Sequence, residues 1–230
     1  MHVDSLKHPL SGRPFIFPDR TLPDIRWIAG GSCGGKTVSS RHISQNTGIP
    51  LYDCDGNRQR HYEQAVTGFQ PALSRKIVWP DFFASTEEEI FIFWEALCFE
   101  RMEMIFEDLS LLTLKGPVIV EGVYAVPEMI RTVTPDAPAL FLFADEEFLR
   151  SCYYGRESTL WMEDAFAVCE NPEKTRGEWM RKWLLIDVDR RKRALACGYP
   201  CLEADCTTDW KSYETLIQKI LFPQLNITKL

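Results

Sequence analysis

The chain has 230 residues, 45% of them hydrophobic, and a net charge of −7, which suits one well-packed α/β domain with an inserted lid or cap. The acidic balance argues against a general nucleic-acid binder, which needs a basic footprint, and no run of 18 apolar residues is present to cross a membrane. The N-terminal residues carry neither the apolar core of a secretory signal nor the Arg/Ser-rich pattern of a transit peptide, so a cytoplasmic location is expected; the eight cysteines, none in a C-x-x-C pair, are expected to be reduced thiols, and the spacing of Cys197, Cys201 and Cys206 matches no zinc pattern.

Residues 1–23 are proline-rich and aperiodic, as expected of an extended arm lying on a domain that spans 24–230. The run DIRWIAG (24–30) ends in glycine and reads as a buried strand. TVSSRHISQNTG (37–48) reads as a short helix closed by Gly48, and IPLYDCD (49–55) as a second strand. The clearest helix is 85–116: Thr86 and Glu89 form a capping box, and Ile90, Phe93, Trp94, Leu97, Ile105, Leu109 and Leu112 recur at helical spacing as a core stripe. PVIVEG (117–122) has the continuous apolar character of a central parallel strand. PALFLFADEEFLR (138–150) reads as a fourth strand turning into a helix, 156–195 as mostly helical and charged, 198–204 as a short fifth strand, and 209–225 as a closing amphipathic helix. Strands alternating with helices predict a parallel sheet covered on both faces.

Gly30-Gly31-Ser32-Cys33-Gly34-Gly35-Lys36-Thr37 fits G-x-x-x-x-G-K-[ST] without a mismatch. Glycines let the backbone curl so that successive N–H groups point inward, and they keep side chains away from a phosphate. The following helix offers its positive end. Lys36 can reach the β- and γ-phosphates of a bound nucleotide, and the Thr37 hydroxyl can hold Mg²⁺. The expected nucleotide-binding set is therefore Gly31, Ser32, Cys33, Gly34, Gly35, Lys36, Thr37 and Val38. Cys33 sits mid-loop, where a thiol is expected to meet oxidants and alkylating agents whenever nucleotide is absent.

Two acidic positions complete the chemistry. Asp55 lies 19 residues after Lys36 at the mouth of the second strand, with Asp53 as the alternative, since strand ends are not placed more finely from sequence. A carboxylate there can orient an acceptor hydroxyl or accept its proton. Glu121 ends a Pro-Val-Ile-Val strand, where an acidic group needs a partner to be buried and would meet Mg²⁺ or its waters. Arg58, Arg60 and His61 follow the acidic pair and suit an acceptor that carries a carboxylate or phosphate.

With these residues in place, the chain resembles the small-molecule kinases of the P-loop NTPase superfamily, of the nucleoside, gluconate, shikimate and 2-phosphoglycerate kinase type. GGSCGGKT, the Asp53/Asp55 pair, VIVEG and FLFADEEFLRSCYYGRE carry the resemblance, which covers about 25–60 and 117–157. It implies a three-layer sandwich with about five parallel strands in the order 2-3-1-4-5, helices on both faces and a helical lid around 150–195. It also implies that Arg150 and Arg156, flanking SCYYG, are lid arginines that close on the donor's phosphates; the basic tract with Arg176, Arg181, Lys182, Arg190, Arg191 and Arg193 is an alternative source of such groups. The implied function is ATP- and Mg²⁺-dependent transfer of the γ-phosphoryl group to a hydroxyl of a small metabolite, by a monomer or homodimer. The alternative is a non-kinase P-loop ATPase or a nucleotide-binding regulatory protein. A GTPase switch is disfavoured: N-K-x-D is absent, and DCDG (53–56) satisfies D-x-x-G only on the second strand.

Overall fold

The computed structural model describes residues 5–223. Five parallel strands form one sheet: β1 (Asp24–Gly30), β2 (Leu51–Asp53), β3 (Pro117–Glu121), β4 (Ala139–Ala144) and β5 (Cys201–Ala204), in the spatial order β2-β3-β1-β4-β5. This is the order that the sequence resemblance implies. The helices are α1 (Lys36–Thr47), α2 (Arg58–Gln64), α3 (Trp79–Ala84), α4 (Glu87–Ser110), α5 (Pro127–Val133), α6 (Glu146–Cys152), α7 (Trp161–Ala167), α8 (Pro172–Ala196) and α9 (Trp210–Leu221).

The two faces of the sheet bury different cores. Trp27, Ala29, Val118, Val120, Phe141 and Phe143 point to one side, against α4, α5 and α8. Ile28, Ile119, Leu140 and Leu142 point to the other, against Ile43 of α1 and Tyr213, Ile217 and Leu221 of α9. Burial on both faces explains why these strands read as unbroken apolar runs instead of alternating ones.

Several expected boundaries move. The long helix begins as predicted, with the Thr86–Glu89 capping box intact, but ends at Ser110 rather than 116. Residues ahead of Pro117 must be extended to feed the strand, and Leu112 is left solvent-facing instead of joining the core. The second strand is three residues long because Asp53 begins a turn: its Oδ1 accepts the Gly56 N–H at 2.9 Å and its carbonyl accepts the Asn57 N–H. The fifth strand starts at Cys201, after Gly198 (φ 83°) closes α8. The end of the last predicted helix, 224–225, lies outside the described residues, as do residues 1–4 of the arm.

The described part of the arm is tied to α4 by charge. Glu100 has no exposed surface; it accepts N–H groups from Ala72 (2.9 Å) and Leu73 (2.7 Å) and from His8 Nε2 (2.8 Å). His8 Nδ1 accepts the Leu10 and Ser11 amides, which fixes Nε2 as the donor. Arg13 grips Glu103 through two guanidinium nitrogens, and the Ile16 amide adds a third bond to the same carboxylate. Glu100→Ala would leave two buried backbone N–H groups without acceptors, so a loss of about 3 kcal/mol is expected in urea unfolding, with the milder Glu100→Gln in between.

Candidate active site

The C-terminal ends of β1, β2 and β3 lie side by side. Parallel register pairs Ile28 with Glu121 and Asp53 with Glu121, so both acidic positions reach the edge at which β1 opens into the phosphate loop. Within the loop, Gly35 adopts φ 83° and caps α1; a Cβ there would lie 2.6 Å from the Trp210 ring, which rests on the loop from the start of α9. Cys33 is the one non-glycine residue with positive φ (61°) among the described residues. The Lys36 ammonium donates to the Gly31 carbonyl, and the Tyr213 hydroxyl donates to the Gly34 carbonyl at 3.2 Å. The loop is thus held in its curl by residues of α9 and by its own lysine.

Thr37, in the first turn of α1, donates its hydroxyl to Glu121 Oε1 at 3.2 Å. The other oxygen, Oε2, is buried without a partner. Burial pushes the Glu121 carboxyl up to about 7; Lys36 opposes the shift, while Asp55 and Asp53 reinforce it. One buried carboxylate oxygen without a donor, a hydroxyl beside it and two further carboxylates within electrostatic range form a donor set that suits a hard divalent cation. Among the described residues, no three His, Cys, Asp or Glu side chains form a closed metal cage.

Asp53 and Asp55 are distinguishable by their contacts. Asp53 is occupied, accepting the Gly56 amide on Oδ1 and Arg41 Nη2 on Oδ2 at 3.3 Å. The Asp55 carboxylate is exposed and has no hydrogen bond among the described residues, and its charge is felt by Glu121, Tyr62 and Tyr124. Of the three basic residues that follow, Arg60 and His61 are committed to Asp108 on α4, which also receives the Tyr52 hydroxyl. Although burial opposes it, these bonds hold the Asp108 carboxyl well below the usual carboxylate range. The Arg58 side chain makes no hydrogen bond among the described residues, and its charge, like that of Asp55, acts on Tyr62 and Tyr124.

The arginines implied as a lid divide. Arg156 stacks on the Tyr153 ring at 5.1 Å and lies close enough to Cys33 and Asp187 to act on both electrostatically. Arg150 is paired with Glu146 at 2.8 Å on the exposed side of α6 and lines a groove with Tyr154, Glu173 and Arg176. The basic tract is taken up by the fold: Arg176 pairs with Glu163, Arg181 with Glu87, Arg191 with Glu203, Arg193 with Glu95 and Glu128, and Lys182 and Arg190 donate to backbone carbonyls. The Cys33 thiol is partly exposed; the burial it does have pushes it up to about 12, with the Cys152 thiol beside it. Val38 faces outward from α1 and stays exposed.

Two residues escaped the sequence reading. Arg101 of α4 has no exposed surface; it donates to the carbonyls of Cys54 and Arg58 and lies 4.5 Å from the centre of the Tyr124 ring, bracing the turn that carries Asp55. Asp187 of α8 lies against Gly31. Their signal was a charge inside an apolar helical stripe: Arg101 falls between Leu97 and Ile105 at steps of four, and Asp187 four after Trp183.

Strand order and phosphate loop together define the fold. It is the P-loop NTPase fold. No family model matches the sequence, and no curated protein matches it. Solved structures that are similar include shikimate kinase from Acinetobacter baumannii in complex with shikimate (19% identity, 90% of this chain and 97% of that one, TM-score 0.49). TT1252 from Thermus thermophilus is similar at 17% identity over 89% and 99%, TM-score 0.49. Deoxyadenosine kinase from M. mycoides with bound dATP is similar at 11% identity over 85% and 97%, TM-score 0.41.

The Glu121 shift has a sign that stability can report. The carboxyl ionises near 4.5 when unfolded and near 7 when folded; the fold therefore favours the neutral form, and stability falls as pH rises from about 4.5 to 7 and levels off above it. Glu121→Gln is expected to melt higher than the parent at pH 8, by the equivalent of about 3 kcal/mol at most, and to converge with it toward pH 4.5 in thermal scans without nucleotide.

Proposed function

We propose that this protein is a small-molecule kinase that moves the γ-phosphoryl group of ATP to an alcohol. The observation that carries the reading is the juxtaposition, at one sheet edge, of the phosphate loop, the Thr37–Glu121 pair with its unpartnered oxygen, and the free Asp55 carboxylate. In this reading the amides of residues 31–37 and the Lys36 ammonium hold the donor phosphates. Thr37 and Glu121 would hold Mg²⁺, which when bound offsets charge on the β- and γ-oxygens. Asp55, rather than the turn-bound Asp53, accepts the proton of the acceptor hydroxyl as its oxygen bonds to the γ-phosphorus and the bond to the β-bridging oxygen breaks, leaving ADP. Arg156 brings a second cation to the transferring group from the segment between α6 and α7. Arg58, facing the same side as Asp55 and free of the Asp108 network, favours an acceptor with an anionic group.

Three measurements test this. ADP release across a metabolite panel should depend on acceptor and on added Mg²⁺ and stop with chelator; equal release without any acceptor would instead mark a plain ATPase, and no release at all a binding protein. Lys36→Ala should lower turnover at least a hundredfold, the scale of removing one preorganised donor (~10²), with an unchanged circular dichroism spectrum. Asp55→Asn should lower kcat about a hundredfold or more with little change in the KM for ATP, whereas Asp53→Asn should chiefly cost stability; the reverse pattern would move the base by two residues.

A further inference from the structure

The acidic turn and the segment that follows β3 lie against each other. The Cys54 N–H donates to the Glu121 carbonyl at 3.0 Å, and a Cβ on Gly122 would lie 2.5 Å from the Cys54 Cβ. Two residues further on, Tyr124 comes down beside the same turn. Arg101 joins the two: its guanidinium donates to the carbonyls of Cys54 and Arg58 and lies 4.5 Å from the centre of the Tyr124 ring. Trp94 packs on that ring as well, at 5.7 Å with the planes 30° apart. The ring is thus held firmly, and Tyr124 is only 5% exposed. Its hydroxyl is not held: it makes no hydrogen bond among the described residues.

The polar groups around the turn fall into two sets. Tyr52, Arg60 and His61 all bond Asp108 and are satisfied within the protein. The groups around Tyr124 are not. The Asp55 carboxylate and the Arg58 guanidinium make no hydrogen bond among the described residues, and Arg101 Nε is buried without a partner. Burying a hydroxyl without a partner costs free energy, and several unpartnered groups around one turn mark a place where a ligand supplies the partners.

In the transfer scheme the acceptor stands at Asp55, and therefore beside Tyr124. The reacting hydroxyl gives its proton to Asp55 and its lone pair to the γ-phosphorus. A phenol O–H bonded to that oxygen would hold the lone pair back, so the partner of Tyr124 is a different oxygen. Burial pushes the phenol above its ordinary range, with Asp55 adding to the shift and Arg101 and Arg58 opposing it, so the group stays protonated. We propose that Tyr124 is a specificity residue of the acceptor site: its hydroxyl bonds a second hydroxyl of the acceptor, next to the one phosphorylated, and the acceptor is a polyol instead of a simple alcohol. The proposal deepens the kinase reading and rests on Asp55 marking the acceptor side.

The test is a cycle of substrate and variant on the full chain, comparing the parent with Tyr124→Phe. The probes are glycerate with 3-hydroxypropionate, and ribose 5-phosphate with 2-deoxyribose 5-phosphate. Any other acceptor that releases ADP in a metabolite panel joins them, together with its deoxy counterpart. In the parent, kcat/KM should favour the polyol about tenfold or more. Tyr124→Phe should lower kcat/KM for the polyol about tenfold, the loss of one neutral hydrogen bond. It should leave the deoxy compound, the KM for ATP and the pH profile unchanged. Its melting temperature should equal or exceed the parent's, because the hydroxyl removed bonds nothing in the free protein. A structural role would lower the melting temperature and depress both acceptors alike, and that result overturns the proposal. So does an acceptor without a second hydroxyl that is turned over as well as any polyol, or a preference for the polyol that survives in Tyr124→Phe. If the parent releases no ADP with any acceptor, the kinase reading falls and this inference with it; if it does and the cycle shows no coupling, only the inference falls.

Discussion

The parallel register of β2, β3 and β1 is the constraint from which the rest of the site follows. It sets Ile28, Asp53 and Glu121 at one level, and the chain leaves that level from β1 into a glycine loop and from β2 into an acidic turn. Because parallel strands all present their C-terminal ends on one edge, groups distant in sequence arrive together without any long loop having to carry them there. Thr37 meets Glu121 across 84 positions of chain for this reason. A shift of the β3 register by one residue would turn Glu121 to the opposite face and bring Val120 or Gly122 to its place.

Charge is also buried in the interior behind that edge. Glu100, Arg101, Asp187 and Arg190 all sit inside, on the two long helices α4 and α8. Each is satisfied chiefly by backbone or by a partner from another element: Glu100 by the Ala72 and Leu73 amides, Arg101 by the Cys54 and Arg58 carbonyls, Arg190 by Ala125 and Glu95. Buried charges are costly unless bonded, so these groups lock particular loops to particular helix positions. Arg101 fixes the turn with Asp55, and Asp187 lies against Gly31 of the loop. The glycine loop and the acidic turn are thus contacted by separate helices, α8 for one and α4 for the other, and the two helices meet through aromatic contacts such as Trp94 with Trp183 at 4.8 Å.

Glu121 and Asp187 are both carboxyls pushed toward neutrality by burial, on either side of Lys36. Their situations differ. Glu121 has an oxygen without a donor and a hydroxyl beside it, which suits a cation; Asp187 lies against Gly31 of the loop, within reach of the Lys36, Arg190 and Arg156 charges. The loop lysine acts on both charges and opposes the effect of burial on each.

The sequence by itself determined the motif-bearing parts: the phosphate loop, the strand before it and helix after it, the acidic pair and the glutamate ending the central strand. Those features depend on residue type at short spacing, and short-range rules are local enough to read. It also marked the Thr86 capping box and most of the apolar stripe of α4, but it overran the helix end by six residues, since extension ahead of Pro117 is imposed by the strand that follows. Tertiary structure alone decided which charges are free. Arg58, Arg60 and His61 are equivalent in sequence until Asp108, some 47 positions away, claims two of them. Arg150 and Arg156 are equivalent until Glu146 pairs with one and the other lands beside Cys33. Gly31 reads as an unconstrained motif position until a carboxylate 156 residues later fills the space its side chain would need. Pairing and exclusion at a distance depend on three-dimensional proximity, which no local pattern encodes.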